Sequence, residues 1–361
     1  MRPTRPAAAL AALAVGVGLL VGCSDDTAQG DCRATSAQFS WASPSPADDE
    51  RFDLTGPGWI GGDSTYSVRL PDQRTLWLFS DSFIGEVSRS GKPAPGMTMV
   101  HNALMAESES GRLSTRTAEG PESFFPDPSA DSYYWVQDAV VEGDQLVVFL
   151  SLTRKVGDQG FAWDHNAMAR VSLPDLTVTD IIDPGPGSPD RVAWGAGVMS
   201  TPTHTYVYGV EDLEKTKYLH LARVPAGNLT DRSHWEYRTD DGWSSDVTQS
   251  ARLTDAVANE LSVSPFRDGY LMISSDTSQG FSPKINAWTA CSPQGPWKDR
   301  QTIYETPESG GQHFTYNAHG HPEISEDGQL LISYNVNTFD FDELTRDPTL
   351  YRPRFITLEL D

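Results

Sequence analysis

One unit recurs five times along this chain, and few folds are open to a chain built that way. The unit is an alternating or apolar strand, a tight polar turn, and a second such strand. The first two copies are Ser64 to Leu70 with Thr75 to Ser80, and Asp138 to Val141 with Gln145 to Ser151. The next two are Gly195 to Ser200 with His204 to Gly209, and Glu260 to Pro265 with Tyr270 to Ser275. The last is Pro322 to Ser325 with Gln329 to Asn335. Their turns, such as Glu142-Gly143-Asp144 and Glu326-Asp327-Gly328, hold the residues that hairpins demand. A third strand follows each pair: His101 to Glu107, His165 to Leu173, Tyr218 to Val224, Lys284 to Cys291 and Arg354 to Leu360. Weaker fourth strands fall near Arg112 to Thr117, Thr177 to Ile182, Trp235 to Arg238 and Gln301 to Glu305.

Repeated units of this kind bury their faces only against one another. The expected fold is all-β: a five-bladed β-propeller with four-stranded blades, spanning 38–361. The fifth unit lacks a fourth strand of its own, so an N-terminal strand, Gln38 to Trp41, is expected to close the ring. A pair of β-sandwiches is the competing architecture, because it too has short strands at regular spacing. The abundance of Gly and Pro beside many aromatics suits short strands and frequent turns. Ala251 to Asn259 is the best helix candidate, and it is short.

In such a blade the start of strand one, the end of strand two and the start of strand three share a rim. That rim collects Asp63, Asp81, Asp138, Glu260 and Asp276 with His101, Asn102, His165, Trp194, His319, His321, Asn335 and Asn337. Pairing Leu70 with Thr75 makes Asp63 and Asp81 diagonal neighbours, about 7–8 Å apart at the backbone. Two carboxylates that close split their pKa values. Cleavage of a glycosidic bond needs such a pair, one protonated and one ionised. The two histidines of Tyr316 to Glu323 could hold a sugar hydroxyl, orient a carboxylate or bind a metal. Neither His-Glu-x-x-His, Cys-x-x-Cys nor Gly-x-Ser-x-Gly occurs, and no cofactor is implied. Trp59, Tyr66, Trp135, Trp163, Trp194 and Phe314 are aromatics near the rim that could stack on sugar rings.

The ends set the compartment. Arg2 and Arg5 precede the apolar run Ala7 to Val21, which is shorter than the roughly 20 residues of a membrane span. This is the pattern of a signal peptide, over 1–22. The run ends Leu20-Val21-Gly22-Cys23 and resembles the lipobox of bacterial lipoproteins, in which the cysteine is acylated. A polar stretch, 23–37, then reads as a lipidated tether. The protein is therefore expected to be extracytoplasmic and membrane-anchored through Cys23. Cys32 and Cys291 remain as an even pair and are expected to form a disulfide. The net charge of −23 argues against a nucleic-acid partner. A monomer is expected.

The segments Gly61 to Ser67, Leu76 to Phe83, Tyr316 to Glu323 and Leu331 to Asn335 resemble a group of uncharacterised propeller domains of secreted and lipid-anchored actinobacterial proteins. That group is similar to the endo-D-arabinanase-type glycoside hydrolases. The resemblance implies that Asp63 and Asp81 occupy the two aspartate positions of those enzymes. Ser80 stands before Asp81 where the arabinanase-like pattern has Gly. Other five-bladed glycosidases take one carboxylate from each of three blades, which would select Asp63, Asp138 and Glu260. Two functions are expected from this. One is a glycoside hydrolase acting on an envelope or biomass polysaccharide, arabinan-like furanosides first. In it Asp63 is base or nucleophile, Asp81 or Glu260 is proton donor, and Asp138 tunes the pair. The other is a non-catalytic glycan-binding or envelope-interaction lipoprotein on the same scaffold.

Overall fold

The structure, a computed structural model, describes residues 32–117, 122–157, 160–185 and 189–360. The signal segment and Cys23 lie outside the described residues. Five antiparallel sheets follow one another in chain order. Sheet one holds Tyr66–Arg69, Thr75–Phe79, Ala103–Glu107 and Leu113–Arg116. Sheet two holds Ser132–Glu142, Gln145–Val156, Gly160–Ser172 and Thr177–Ile182. Sheet three is built on Ala193–Ser200, His204–Asp212, Lys217–Pro225 and Glu236–Arg238, with short additions at its edge. Sheet four holds Leu261–Phe266, Gly269–Ser275, Lys284–Ala290 and Lys298–Glu305. Sheet five holds His313–Gly320, Gln329–Thr338 and Arg354–Glu359, and Ser43–Pro44 joins its outer edge. A small three-stranded sheet of Gly58–Gly62, Ser82–Gly85 and Thr98–Val100 stands beside sheet one.

The alternating strands bury both faces because each sheet packs on its neighbours. Leu76, Leu78, Val148 and Leu150 fill the layer between sheets one and two. Val147, Phe149, Trp194 and Val207 fill the next. Tyr208, Leu221, Leu261 and Met272 lie between three and four. Ile273, Ile285, Ile332 and Ile356 lie between four and five. Trp77, Phe79, Leu331 and Phe355 join sheet five to sheet one around Phe52. Polar links on the inner strands run the same way. Val136 N donates to Ser80 Oγ at 3.1 Å, Ala318 N to Ser275 Oγ at 3.1 Å, and Asn335 Nδ2 to Thr65 Oγ1 at 2.9 Å. Gly195, at φ +99°, marks a close approach: a Cβ there would stand 2.4 Å from that of Phe149.

Several expectations need correction. Pro322–Ile324 is a 3-10 turn, and the first strand of unit five is the upstream His313–Gly320. The N-terminal strand on sheet five is Ser43–Pro44, not Gln38 to Trp41; it pairs with Thr357 and Ile356. Ala251 to Asn259 forms no helix. Thr254–Asp255 pairs with sheet three there, and Ala256 takes φ +57°. Among the described residues the α-helices are Pro46–Arg51 and Phe341–Arg346, short and mostly solvated. Residues 32–37, expected within the tether, are docked: Ala34 and Ala37 are buried against sheet four, and Cys32 and Cys291 form a disulfide.

Candidate active site

The first hairpin sets the site. Arg69 pairs with Thr75 and Tyr66 with Leu78, one residue out of step with the expected register. Gln73, at φ +68°, folds the turn so that Leu70 N bonds Arg74 O, which produces the offset. The consequence is a tighter pair. Asp63 N donates to Asp81 O at 3.2 Å and Ser80 N to Asp63 O at 2.9 Å, so the two aspartates face each other directly. Ser64 and Thr65 follow in the left-handed region, at φ 77° and 49°, although neither is Gly. Strain of that kind, about 1–3 kcal/mol per residue, persists where surrounding contacts over-determine it. Here Ser64 Oγ donates to Glu260 Oε1 at 2.7 Å, and Thr65 holds Asn335.

Asp63 has two unlike oxygens. Oδ2 accepts from the hydroxyls of Tyr316 and Tyr351, each at 2.6 Å, while Oδ1 is buried without a partner. Burial, with the Asp81 charge adding to it, pushes the Asp63 carboxyl up to about 7. Burial also lifts both tyrosines well above their usual range, so they stay protonated donors. Tyr316 is held in turn by Asn337 Nδ2 at 2.9 Å. The strand carrying Tyr316 is bulged between Tyr316 and His319, with Asn317 at φ 56°. Asp81 is more open. Trp135 Nε1 donates to its Oδ1 at 2.8 Å, and His101 Nδ1 lies 3.1 Å from the same oxygen. His101 itself stacks on Tyr133 at 3.8 Å between ring centres. Glu260 is buried, its Oε2 unpartnered. Burial raises its pKa well above the ordinary value, with Asp63 and Asp138 contributing charge.

Asp63, Asp81 and Glu260 are thus brought together, with His101, Asn335 and Asn337 around them. Asp138 lies deeper than expected, toward the hairpin turns. Its two oxygens accept from Ala139 N at 2.7 Å and Val198 N at 2.6 Å, and burial pushes it up to about 8. It lines a cavity of about 290 Å³ with Ser67, His319 and Glu323. Burial pushes Glu323 up to about 7 and His319 down to about 3. His319 therefore serves that cavity and not the Asp63 mouth.

Other expected ligands for sugar are spent within the protein. His321 is fully buried, with Nδ1 2.6 Å from Ser67 Oγ and Nε2 2.8 Å from Ser333 Oγ, so it ties sheet five to sheet one. The Asn102 amide bonds Phe125 and Tyr134 backbone atoms. His165 is buried between Asp164 at 3.2 Å and Asp183 at 2.5 Å. Trp194 is fully buried in the layer between sheets two and three. Asp276 binds the backbone and hydroxyl of Ser278. Among the described residues no group of three or more His, Cys, Asp or Glu is arranged to hold a metal. Tyr351 was not foreseen. It sits in a 3-10 turn, Pro348–Tyr351, remote from any repeat position.

Fold and site together define an all-β, propeller-like protein with a cluster of buried carboxyls. It shares its fold with a Bacteroides ovatus protein for which hydrolase activity has been suggested, at TM-score 0.75 and 19% identity over 88% of this chain and 90% of that one. Fainter likenesses, at TM-scores of 0.49 and 0.48, extend to two enzymes. One is the catalytic domain of a Coprinopsis cinerea family 62 α-L-arabinofuranosidase, 10% identical over 89% of this chain and 96% of that one. The other is a family 43 β-1,3-galactosidase, 14% identical over 84% and 94%. The chain belongs to the DUF5005 family, a domain of unknown function, which matches residues 49–359. No functionally curated protein shows significant sequence similarity to it.

Proposed function

We propose that this protein is a glycoside hydrolase on a five-bladed β-propeller closed by its N-terminal strand, anchored outside the cell membrane through a lipid on Cys23. One observation carries the catalytic reading. Asp63, Asp81 and Glu260 converge, and among the described residues none of them is paired with Arg or Lys. Carboxylates kept for structure are normally neutralised, whereas an acid and a base must stay free to exchange protons. Glu260, held protonated by burial, is the proton donor to the leaving oxygen. Asp63, ionised above about pH 7, is the base or nucleophile. Tyr316 and Tyr351 hold Oδ2 and leave Oδ1 to react. The Asp81 charge tunes Asp63.

The substrate is a polysaccharide of an envelope or of biomass. The resemblance of the Asp63 and Asp81 segments to the endo-D-arabinanase group favours an arabinan-like furanoside. The test is release of reducing sugar from arabinan and arabinogalactan by the soluble chain from Asp31 onward. Asp63→Asn and Glu260→Gln are each expected to lower the rate at least about 10³-fold. Full activity in both variants would sink the assignment. Wild-type chain that binds these glycans and releases nothing would make the site a binding surface.

A further inference from the structure

The carboxyl cluster is flanked by two aromatic walls that proton transfer does not use. On one side Phe281 and Phe339 cluster about Phe314, with ring centres 4.1 and 4.6 Å from it and 6.1 Å from each other. Phe281 and Phe339 are 54% and 64% exposed. The cluster reaches the site through Tyr316, whose ring is 5.5 Å from Phe314 and whose hydroxyl binds Asp63. On the other side Phe161, 61% exposed, meets Trp135 edge-on at 4.8 Å, and Trp135 binds Asp81. The first wall comes from sheets four and five and the second from sheet two. Sheet one, with the two aspartates facing each other at the open end of its first hairpin, lies between them.

Grouped exposed aromatics mark a ligand surface, because covering each ring removes apolar area from water. The chemistry beside them narrows the occupant. Asp81, partly exposed between the walls, offers carboxylate acceptors, so the ligand brings hydroxyl groups. Flat aromatic faces call for rings with C–H faces. Anionic rings are repelled by the carboxylates and by a chain of net charge −23. A single sugar covers one wall; only a chain covers both.

We infer that the mouth is a cleft open at both ends for an uncharged glycan chain. The chain lies across Asp63 and Asp81, stacked on Phe281 and Phe339 on one side and on Phe161 and Trp135 on the other, so that attack falls within it. This rests on the glycan reading above. The experiment is calorimetric titration of the Asp63→Asn chain, silent in turnover, with neutral arabino- and galacto-oligosaccharides from dimers to octamers. An oligogalacturonide is the charged control. Long neutral chains bind at least about tenfold tighter than dimers. Phe339→Ala and Phe161→Ala each weaken long-chain binding about fivefold to thirtyfold. Trp41→Ala, an exposed aromatic outside either wall, leaves it unchanged. Undiminished binding by both wall variants, equal affinity for dimers and octamers, or equal affinity for the uronide overturns the inference. If the parent chain binds no glycan of any length, the glycan reading itself fails.

Discussion

Moving this protein from about pH 8 to about pH 6.5 stabilises it, opposite to the fall that salt-bridged carboxylates give on acidification. Asp138 is raised to about 8 and Asp63 and Glu323 to about 7, while Glu260 lies well above its ordinary value. Each binds a proton in the native state that it has lost in the unfolded chain. Stability therefore falls as pH rises through this window, by about 1.4 kcal/mol per pH unit for each group fully in play. Across the window Asp138 contributes about 1.6 kcal/mol and Asp63 and Glu323 about 0.8 each, and Glu260 adds in the same direction. Their mutual coupling holds the total to roughly 3–4 kcal/mol, or about 4–6 °C in Tm for a domain of this size. The buried histidines offset part of this gain. His319, lowered to about 3, and His220, lowered to about 4, each cost about 0.4 kcal/mol by pH 6.5, where the unfolded chain has taken up half a proton at each, and His321, lowered well below its ordinary value, acts in the same direction. Scanning calorimetry at the two pH values, at matched ionic strength, checks this. Glu323→Gln, which keeps the acceptor for Ser67, removes about 0.8 kcal/mol of the shift. A Tm that is flat, or higher at pH 8, would refute the account of the buried carboxyls.

Two further outcomes follow from the geometry. Tyr316→Phe removes one of two donors to Asp63 Oδ2, so the limb on which activity rises with pH moves up by about one unit in a pH–rate profile; an unmoved limb would deny Asp63 the role of base. The Cys32–Cys291 disulfide spans 259 positions, and replacing both cysteines with Ser lowers stability by about 2–5 kcal/mol in urea unfolding. Reductant should shift the wild type to the same midpoint and leave the variant where it is.

The hairpins were legible because each is local: turn chemistry and two flanking strands lie within one short segment. The second copy, around Glu142-Gly143-Asp144, shows this most plainly, with Gln145 paired to Glu142. Unit five misled because Pro322 follows the true strand and reads as the start of one, while it opens a 3-10 turn. The helices at Pro46–Arg51 and Phe341–Arg346 carry too little apolar pattern to announce themselves. Asp63, Asp81 and Glu260 were legible as rim residues because a strand end fixes which face a side chain shares. Burial was not. Nothing in the sequence separates His101, beside Asp81, from His165, clamped between two aspartates, although each begins the same His-Asn-Ala run. Tyr351 acts on Asp63 across 288 positions from a turn outside the repeat, so only the folded chain brings it there.

The disulfide also decides where a pull on the N-terminal end is felt. The strand Ser43–Pro44 meets sheet five through two residue pairs, and a load arriving along the chain would peel it away one pair at a time. Cys32 intercepts that load first and passes it to Cys291, just past the end of Lys284–Ala290 in sheet four. The docked segment between Cys32 and Ser43 then bears no load, and the outer edge of sheet five carries no tension. A body tethered at its N-terminal end and gripping a polymer at its mouth would be strained between the two. Were this one so tethered, it would be hitched through a covalent knot on sheet four rather than through a two-residue strand at the edge of sheet five.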